Sequence, residues 1–220
     1  MQGATRFKSF RGSLPLVLVT LACLAIGLWA YPRLPDKVPT HWNWRGEIDG
    51  WSGKTFAVFF LPALILALIG LFGLLPALDP FKQNYERFAG AYSVIRAVIV
   101  LFFNAVYLVS ILAGLGYLID TSLVVRLGIS LMFIALGDQM GRLKQNWFIG
   151  IRVPWTLASE ENWRRTHRWG GRTIVLGGAL SLLALPFNTP VAAAIHFGLV
   201  IGGIVAPVVY SYVLFRQGVR

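Results

Sequence analysis

Long apolar segments recur along this chain and constrain its fold more than any other feature. The longest reach about 20 residues, the length of helix that crosses the hydrocarbon core of a bilayer. We therefore predict an all-α integral membrane protein with a six-helix transmembrane bundle. The six segments are residues 14–31, 56–78, 94–119, 123–140, 174–187 and 191–215. The fifth is short, and it reaches spanning length only if residues 169–173 extend it.

The composition agrees with this class. Of the 220 residues, 56% are hydrophobic and 13% are charged, whereas soluble domains are about 45–50% apolar and about 25% charged. The net charge of +11 could indicate nucleic-acid binding, but basic residues between apolar spans follow the positive-inside rule, so we predict no direct nucleic-acid contact. Cys23 is the only cysteine, which excludes an intramolecular disulfide and a cysteine-based zinc site.

The distribution of lysine and arginine predicts the topology. These residues favour the cytoplasmic ends of membrane helices. Here 12 of the 20 lie before the first segment, in residues 138–173 and in the tail, whereas the first loop carries both signs of charge. An even number of crossings follows, with both termini in the cytoplasm. The residues concerned are Arg6, Lys8, Arg11, Arg142, Lys144, Arg152, Arg164, Arg165, Arg168, Arg172, Arg216 and Arg220.

The first apolar segment can also be read as a secretory signal peptide. Its length of about 18 residues exceeds the apolar region of a typical signal, about 7–15 residues, so we favour an uncleaved first span. We divide the chain into a basic N-terminus (1–13), two spans joined by an outside loop (14–78), and four spans with a basic cytoplasmic segment (79–220).

The outside loop, residues 31–54, is too long for a simple turn. Prolines restrict its backbone and glycines supply turn positions, and Asp49–Gly50 predicts a tight turn or hairpin. Its tryptophans are typical of the aromatic belt at a membrane surface; they are Trp42, Trp44 and Trp51. One interpretation is an ordered interfacial cap. The other is a ligand-sensing or toxin-sensing site formed by His41, Asn43, Glu47 and Asp49.

Those four side chains permit several ligands. His41 can bind a metal or respond to pH, and the acids can pair with Arg45, Lys54 or a cationic ligand. A single histidine with scattered acids lacks the spacing of a catalytic metal motif. We therefore predict no metal site, no cofactor and no catalytic residue.

Residues 141–172 form the most distinctive polar segment. Pro154 disfavours helix at the residue before it, whereas Ser159 followed by two glutamates predicts a helix N-terminus. We expect a short surface helix that leads into the fifth span, with Gly170 and Gly171 as a stop or bend. One face of this helix should point to the bundle or the headgroups. The residues of that face are Trp163, Thr166, His167 and Gly170.

The arginines of this helix have two interpretations. They face either anionic lipid, which would hold an interfacial amphipathic helix at the membrane, or a cytoplasmic protein that docks on it.

Polar residues inside the spans should find partners, because burying them in lipid is costly. Asn104 lies deepest, and we expect it to form a hydrogen bond between helices. Arg96, Asp138 and His196 lie near enough to the predicted ends to reach the interface. Small residues four apart predict close helix contacts. These pairs are Gly137 with Gly141, Gly177 with Ser181, and Gly198 with Gly202.

The two polar segments, in this order, resemble those of the SdpI family of bacterial membrane proteins with a leading DUF1648 domain. The resemblance rests on LPDKVPTHWNWRGEIDGW (residues 34–51) and NWFIGIRVPWTLASEENWRRTHRWGG (residues 146–171), and covers most of the chain from about residue 14 onward. The matching positions in the first segment are Leu34, Pro35, Pro39, His41, Asn43, Gly46, Asp49 and Gly50. Those in the second are Asn146, Gly150, Arg152, Pro154, Trp155, Thr156, Leu157, Ser159, Trp163, His167 and Gly170.

The resemblance implies a bacterial cell-membrane protein that gives immunity to a secreted antimicrobial peptide toxin. It also implies signalling, in which the membrane protein sequesters a cytoplasmic repressor. The outside loop would sense or neutralise the toxin, and the basic inside segment would hold the repressor. The inside residues that we assign to partner or interfacial contacts are Asn146, Arg152, Pro154, Trp155, Thr156, Glu160, Trp163 and His167.

Two other functions stay open. The first is a membrane enzyme or transporter with a site near the outside loop that uses His41, Asp49 and His196. The second is a scaffold whose polar segments serve only as interfacial anchors.

Overall fold

A computed structural model of the chain describes residues 12–43, 45 and 47–219. Most of these residues are helical, and two short strands form a hairpin between the first two long helices. The helices are α1 (Leu14–Ala30), α2 (Lys54–Leu78), α3 (Ala89–Gly114), α4 (Thr121–Met140), α5 (Pro154–Ala158), α6 (Glu160–Ser181) and α7 (Pro190–Arg216), and the strands are β1 (Lys37–Trp42) and β2 (Ile48–Gly53). Short 3₁₀ helices cover Tyr31–Arg33, Lys82–Phe88 and Leu182–Ala184. The predictions for Arg6, Lys8, Arg11, Trp44, Gly46 and Arg220 fall outside the described residues.

Within that description, five helical segments are long and apolar enough to cross a membrane. They are Leu14–Arg33, Lys54–Leu78, Lys82–Gly114, Thr121–Met140 and Pro190–Arg216. Only 28–33% of the apolar window in each is buried inside the protein, so most of its apolar surface needs lipid rather than water. The helical class is confirmed, the chain is a multi-pass membrane protein, and the outside loop adds a β hairpin to the helical bundle.

The fifth predicted segment, residues 174–187, begins in α6 and extends through the 3₁₀ helix Leu182–Ala184. Helix α6 is not among the five spans, and its first half is strongly charged. The predicted stop at Gly170 and Gly171 is wrong, because α6 continues through both residues. A Cβ at Gly171 would come within 2.7 Å of the carbonyl oxygen of Gly137, and one at Gly170 within 2.9 Å of Cβ of Pro207. These glycines therefore serve close packing against α4 and α7.

Helix α6 lies between α4 and α7 and runs antiparallel to both. The hydroxyl groups of Ser130 and Ser181 are 2.7 Å apart across the contact with α4. The predicted close contact at Gly177 is confirmed, since it packs on the backbone of α7. The prediction for Gly198 and Gly202 is wrong, because a Cβ at either would meet nothing within 4 Å.

The two polar segments lie at opposite ends of the bundle. At the hairpin end, formed by residues 31–53, Ser110 of α3 donates a hydrogen bond to the carbonyl of Pro39 at 2.6 Å. At the basic end, formed by residues 79–88 and 141–159 with the start of α6, Asn84 donates to the carbonyl of Gln145 at 2.8 Å. Helix α3 runs from the basic end to the hairpin end.

Polar side chains inside the long helices are bonded to neighbouring helices. Asn104 donates to Oγ1 of Thr20 in α1 at 3.1 Å, as predicted. Arg96 and His196 are both buried in the protein, and their reach to the membrane interface stays a prediction. Arg96 donates a hydrogen bond to Oγ of Ser13, the residue before α1, at 3.0 Å. Nδ1 of His196 lies 3.2 Å from the carbonyl oxygen of Ser181. Each side chain thus has a partner for one polar atom, while Oδ1 of Asn104 and Nε2 of His196 are buried without a hydrogen-bond partner among the described residues.

Candidate functional sites

The loop between α1 and α2, which we predict to lie outside, is an antiparallel hairpin in which β1 ends at Trp42 and β2 begins at Ile48. The Asp49–Gly50 pair is not the turn that the sequence had predicted, because both residues lie in β2. Gly50 lies opposite His41, and a Cβ on it would come within 2.7 Å of Cβ of His41. Glycine is therefore needed here for a close approach between the strands.

Apolar residues and one hydrogen bond hold the hairpin on α3. Leu34 and Val38 are buried, and a Cβ at Gly114 would come within 2.8 Å of both side chains. Ser110 adds its hydrogen bond to the Pro39 carbonyl. The hairpin is thus a fixed platform on α3.

The four predicted ligand residues form two pairs on this platform. Nδ1 of His41 lies 2.5 Å from Oδ1 of Asp49, and the two side chains are 72% and 43% exposed. Nδ2 of Asn43 donates to Oε2 of Glu47 at 2.7 Å, and Oδ1 of Asn43 accepts the backbone N–H groups of residues 45 and 47. The Asn43–Glu47 pair closes the turn, whereas the His41–Asp49 pair is available to a ligand. Across the described residues, no three His, Cys, Asp or Glu side chains converge as a metal site.

At the basic end, Asn146 organises the loop that follows α4. Its buried amide nitrogen donates to the carbonyls of Lys144 and Ile149, each at 2.9 Å. Its amide oxygen accepts the N–H groups of Phe148 at 2.9 Å and Ile149 at 2.7 Å. All four hydrogen bonds that a primary amide can make are formed. Asn146 therefore holds the loop together and is closed to a partner.

His167 joins this loop to α6. Its Nε2 accepts the backbone N–H of Ile151 at 2.9 Å, so the ring proton is on Nδ1, which donates to the carbonyl of Trp163 at 2.8 Å. The imidazole also stacks on Trp163, with 3.9 Å between ring centroids. Burial lowers the pKa of His167 to about 4, although the bond to Trp163 acts in the opposite direction. The imidazole is therefore neutral at pH 7.

Gly150 makes this arrangement possible. Its φ is +114°, a conformation that side chains rarely adopt, and a Cβ there would overlap Nε2 of His167. Backbone geometry thus explains why residue 150, one of the positions that carry the family resemblance, is a glycine.

The short helix α5 attaches the loop to α7. Pro154 begins this helix, where its missing N–H is not needed. The buried hydroxyl of Thr156 accepts the N–H of Val153 at 3.0 Å. Nε1 of Trp155 donates to Oγ of Ser211 in α7 at 2.8 Å.

The eight predicted inside residues differ in their access to a partner, and only four can be reached from outside the protein. Asn146, Thr156, Trp163 and His167 are buried, whereas Arg152, Pro154, Trp155 and Glu160 are exposed or partly exposed. On α6, Arg164 forms an ion pair with Glu161 at 2.7 Å, and its hydrogen bonds lower the pKa of that carboxyl group.

Sequence reasoning missed two buried charged residues. Asp79 follows α2, and its Oδ2 accepts the hydroxyl of Tyr85 at 2.8 Å and the backbone N–H of Trp147 at 2.9 Å. Arg126 in α4 donates to the carbonyl of Phe187 at 3.4 Å. The available signals were an acid at the end of one apolar segment and a lone arginine inside another, since such charges need partners near lipid.

Comparisons with other proteins match both ends of the bundle. The domain of unknown function DUF1648 matches residues 18–66, which include the hairpin. The SdpI/YfhL protein family matches residues 142–211, from the loop after α4 to Ser211. The chain is 24% identical over 204 residues to "Immunity protein SdpI" of Bacillus subtilis (strain 168), and this alignment covers 92% of the chain and 96% of that protein. No solved structure matches the chain.

Proposed function

Because this chain belongs to the SdpI family of membrane proteins, we propose that it gives its cell immunity to a secreted antimicrobial peptide that acts on the membrane. The observation that carries the proposal is the alignment with an immunity protein along 92% of the chain. That alignment extends across both polar segments and the helices between them. The proposed mode is binding and signalling rather than catalysis.

The proposed arrangement in the bacterial cell membrane has six crossings with both termini in the cytoplasm. Five helices have the length and composition of spans. The second half of α6 lies alongside α4 and α7, and with the 3₁₀ helix that follows it would make the sixth crossing. The basic end carries exposed arginines on the loop and on α6, which favours the cytoplasmic side. The hairpin end then faces outward.

The hairpin is the surface that we expect the toxin to meet. It is fixed on α3, and it presents the exposed His41–Asp49 pair beside the interfacial Trp51, whose exposed fraction is 55%. A carboxylate and an aromatic ring at the membrane surface suit a cationic, amphipathic peptide.

The basic end is the surface that we expect a cytoplasmic repressor to meet. Its accessible residues include Arg152 and Glu160, whereas the buried ones maintain the shape of the loop. Helix α3 offers a physical connection to the hairpin, because it also carries Tyr92, which packs edge-on against Tyr85 with 5.3 Å between ring centroids. In this proposal, toxin binding would displace the hairpin from its position on α3, and α3 would pass the change to the basic end through these contacts.

The proposal is tested by survival of a susceptible bacterium with and without this protein at verified membrane levels. The challenge is a panel of membrane-active peptides that includes any encoded beside the gene. We expect selective protection against one peptide. Absence of protection across the panel, with the protein present in the membrane, would overturn the immunity proposal.

Signalling needs a separate measurement. Transcription of the chain's own operon is followed with and without the protective peptide. We expect Arg152→Gln to lose induction while protection remains, because Arg152 is exposed and its guanidinium donates a hydrogen bond within its own loop, to the carbonyl of Trp147. Unchanged induction in this variant would remove Arg152 from the proposed docking surface.

A membrane enzyme or transporter is the second candidate. It would need His41, Asp49 and His196 in one site. The hairpin packs on α2 and α3, whereas His196 bonds to Ser181 at the end of α6, which favours the first proposal. Turnover or transport by the purified chain that depends on His41 would favour the second.

A further inference from the structure

A groove of about 560 Å³ lies between α4 and α6 at the basic end. It exists because the two helices approach through glycines: Gly137 and Gly171 pack backbone to backbone, and Gly141 continues the lining to the end of α4. The groove is open at the side of the bundle, where Leu176 is 57% exposed. Its open side therefore faces the lipid around the helices.

Two arginines line the groove at its polar end. Arg168 and Arg172 are one helical turn apart on the same side of α6. Both are exposed, and neither forms a hydrogen bond or an ion pair within the part of the chain that the structure describes. Asp138 also lines the groove. Its carboxylate already accepts a hydrogen bond from Nε2 of Gln139 at 2.6 Å and pairs with the guanidinium of Arg142 at 3.4 Å. Two guanidinium groups thus remain for an anion such as a phosphate.

Beyond the arginines the lining is apolar. Val175, Leu176 and Ala179 continue it toward the middle of the bundle. From Arg168 to Ala179 the helix rises about 16 Å, close to the roughly 15 Å of one hydrocarbon leaflet. A polar opening above an apolar lining of this length fits a headgroup and its acyl chain.

We propose that this groove binds one anionic phospholipid, with its phosphate between Arg168 and Arg172 and an acyl chain along Val175 and Ala179. The apolar lining distinguishes this ligand from free phosphate, which would use the arginines alone. The net charge of the lipid matters because two guanidinium groups converge on it. This site is independent of the immunity proposal and needs no toxin or repressor.

The test counts lipids retained by the purified full chain. The protein is placed in phosphatidylcholine nanodiscs that contain a minor fraction of phosphatidylglycerol, and native mass spectrometry records the lipids that remain bound. We expect one retained phosphatidylglycerol. Arg168→Gln with Arg172→Gln should bind it about tenfold more weakly, since both charged contacts to the phosphate are lost.

The matched control is Arg164→Gln with Arg165→Gln. It removes the same charge from exposed positions of the same helix that do not line the groove. We expect retention close to that of the unchanged chain. An equal loss in both double variants would overturn the site in favour of general surface attraction.

Two further measurements separate the lipid from its headgroup. Ala179→Phe leaves both arginines in place and fills the apolar part of the groove, so it should also reduce retention several-fold. Inorganic phosphate in excess should not displace the lipid. Displacement by phosphate together with normal retention in Ala179→Phe would identify an anion site and overturn the lipid proposal. Failure of the unchanged chain to retain phosphatidylglycerol would overturn it as well.

Discussion

Asp79 and Trp147 are joined by a hydrogen bond across 68 residues of sequence: the carboxylate of Asp79 accepts the backbone N–H of Trp147 at 2.9 Å. The same oxygen accepts the hydroxyl of Tyr85. Asp79 thereby attaches the connection between α2 and α3 to the loop that follows α4. It lies outside residues 18–66 and 142–211, the two parts of the chain that match known families.

Substitution of Asp79 should destabilise the basic end. In Asp79→Asn an amide nitrogen replaces one acceptor, which leaves at least one buried donor unpaired at a cost of about 1–3 kcal/mol. The measurement is tryptophan fluorescence during denaturant unfolding in detergent. Asp138→Asn is the control, because that side chain is 59% exposed, and we expect a change within about 0.5 kcal/mol. Equal stability of the two variants would contradict the role of Asp79.

Burial of His167 should make stability depend on pH. Burial lowers the pKa of His167 from its ordinary value of 6.5 to about 4 in the folded protein, so the unfolded chain binds the proton first as the pH falls. The contribution of His167 to the free energy of unfolding is therefore constant above about pH 6.5 and decreases between pH 6.5 and 4, by about 3 kcal/mol at most. His167→Gln should remove this loss, and His41→Gln on the exposed hairpin should retain it. Unfolding curves of the two variants at several pH values measure this difference in pH dependence.

Two glycines near the basic end should respond differently to the same change. Gly150→Ala places a Cβ against His167 at a φ of +114°, and we expect a loss of about 2 kcal/mol or more. Gly141→Ala adds a Cβ at an ordinary 3.7 Å from Arg168 with φ near −66°, so it should be close to neutral. Thermal unfolding of the two variants in the same detergent measures the difference. A neutral Gly150→Ala would show that the loop can move away from His167.

The His41–Asp49 pair should affect protection and not stability. Asp49→Asn removes one charge from an exposed pair that is worth about 0–1 kcal/mol, so abundance should stay unchanged. Asp120→Asn is the matched control, since it loses the same charge at the N-cap of α4, where Asn caps equally well. We expect survival under the protective peptide to fall only in Asp49→Asn. Full survival would exclude Asp49 from toxin sensing.

Much of the helical framework could be predicted from the sequence, because it depends on local properties. Apolar length located α1, α2, α4 and α7 to within two residues of their ends, whereas α3 begins and ends five residues earlier than predicted and α6 begins 14 residues before the fifth predicted segment. The start of α6 was also predicted correctly, since Ser159 accepts the N–H of Asn162 and two glutamates follow it. Asn104 was correctly expected to bond between helices, because a deep amide in lipid has few other partners.

Local patterns failed where a residue's role is set by a distant partner. Asp49–Gly50 has the composition of a turn, but the opposite strand places it in β2 and gives Gly50 its role against His41. Gly170 and Gly171 have the composition of a helix end, yet the backbones of α4 and α7 lie against them.

The sequence by itself determined the class of this protein, the position of its long helices and the two polar segments, because hydrophobic length and charge act through the surrounding solvent. Only the tertiary structure decided which residues of those segments are accessible. His167 and Arg152 lie in the same family segment, but His167 is enclosed by Ile151 and Trp163 while Arg152 is exposed. That distinction comes from packing between residues far apart in the chain, which no local pattern contains.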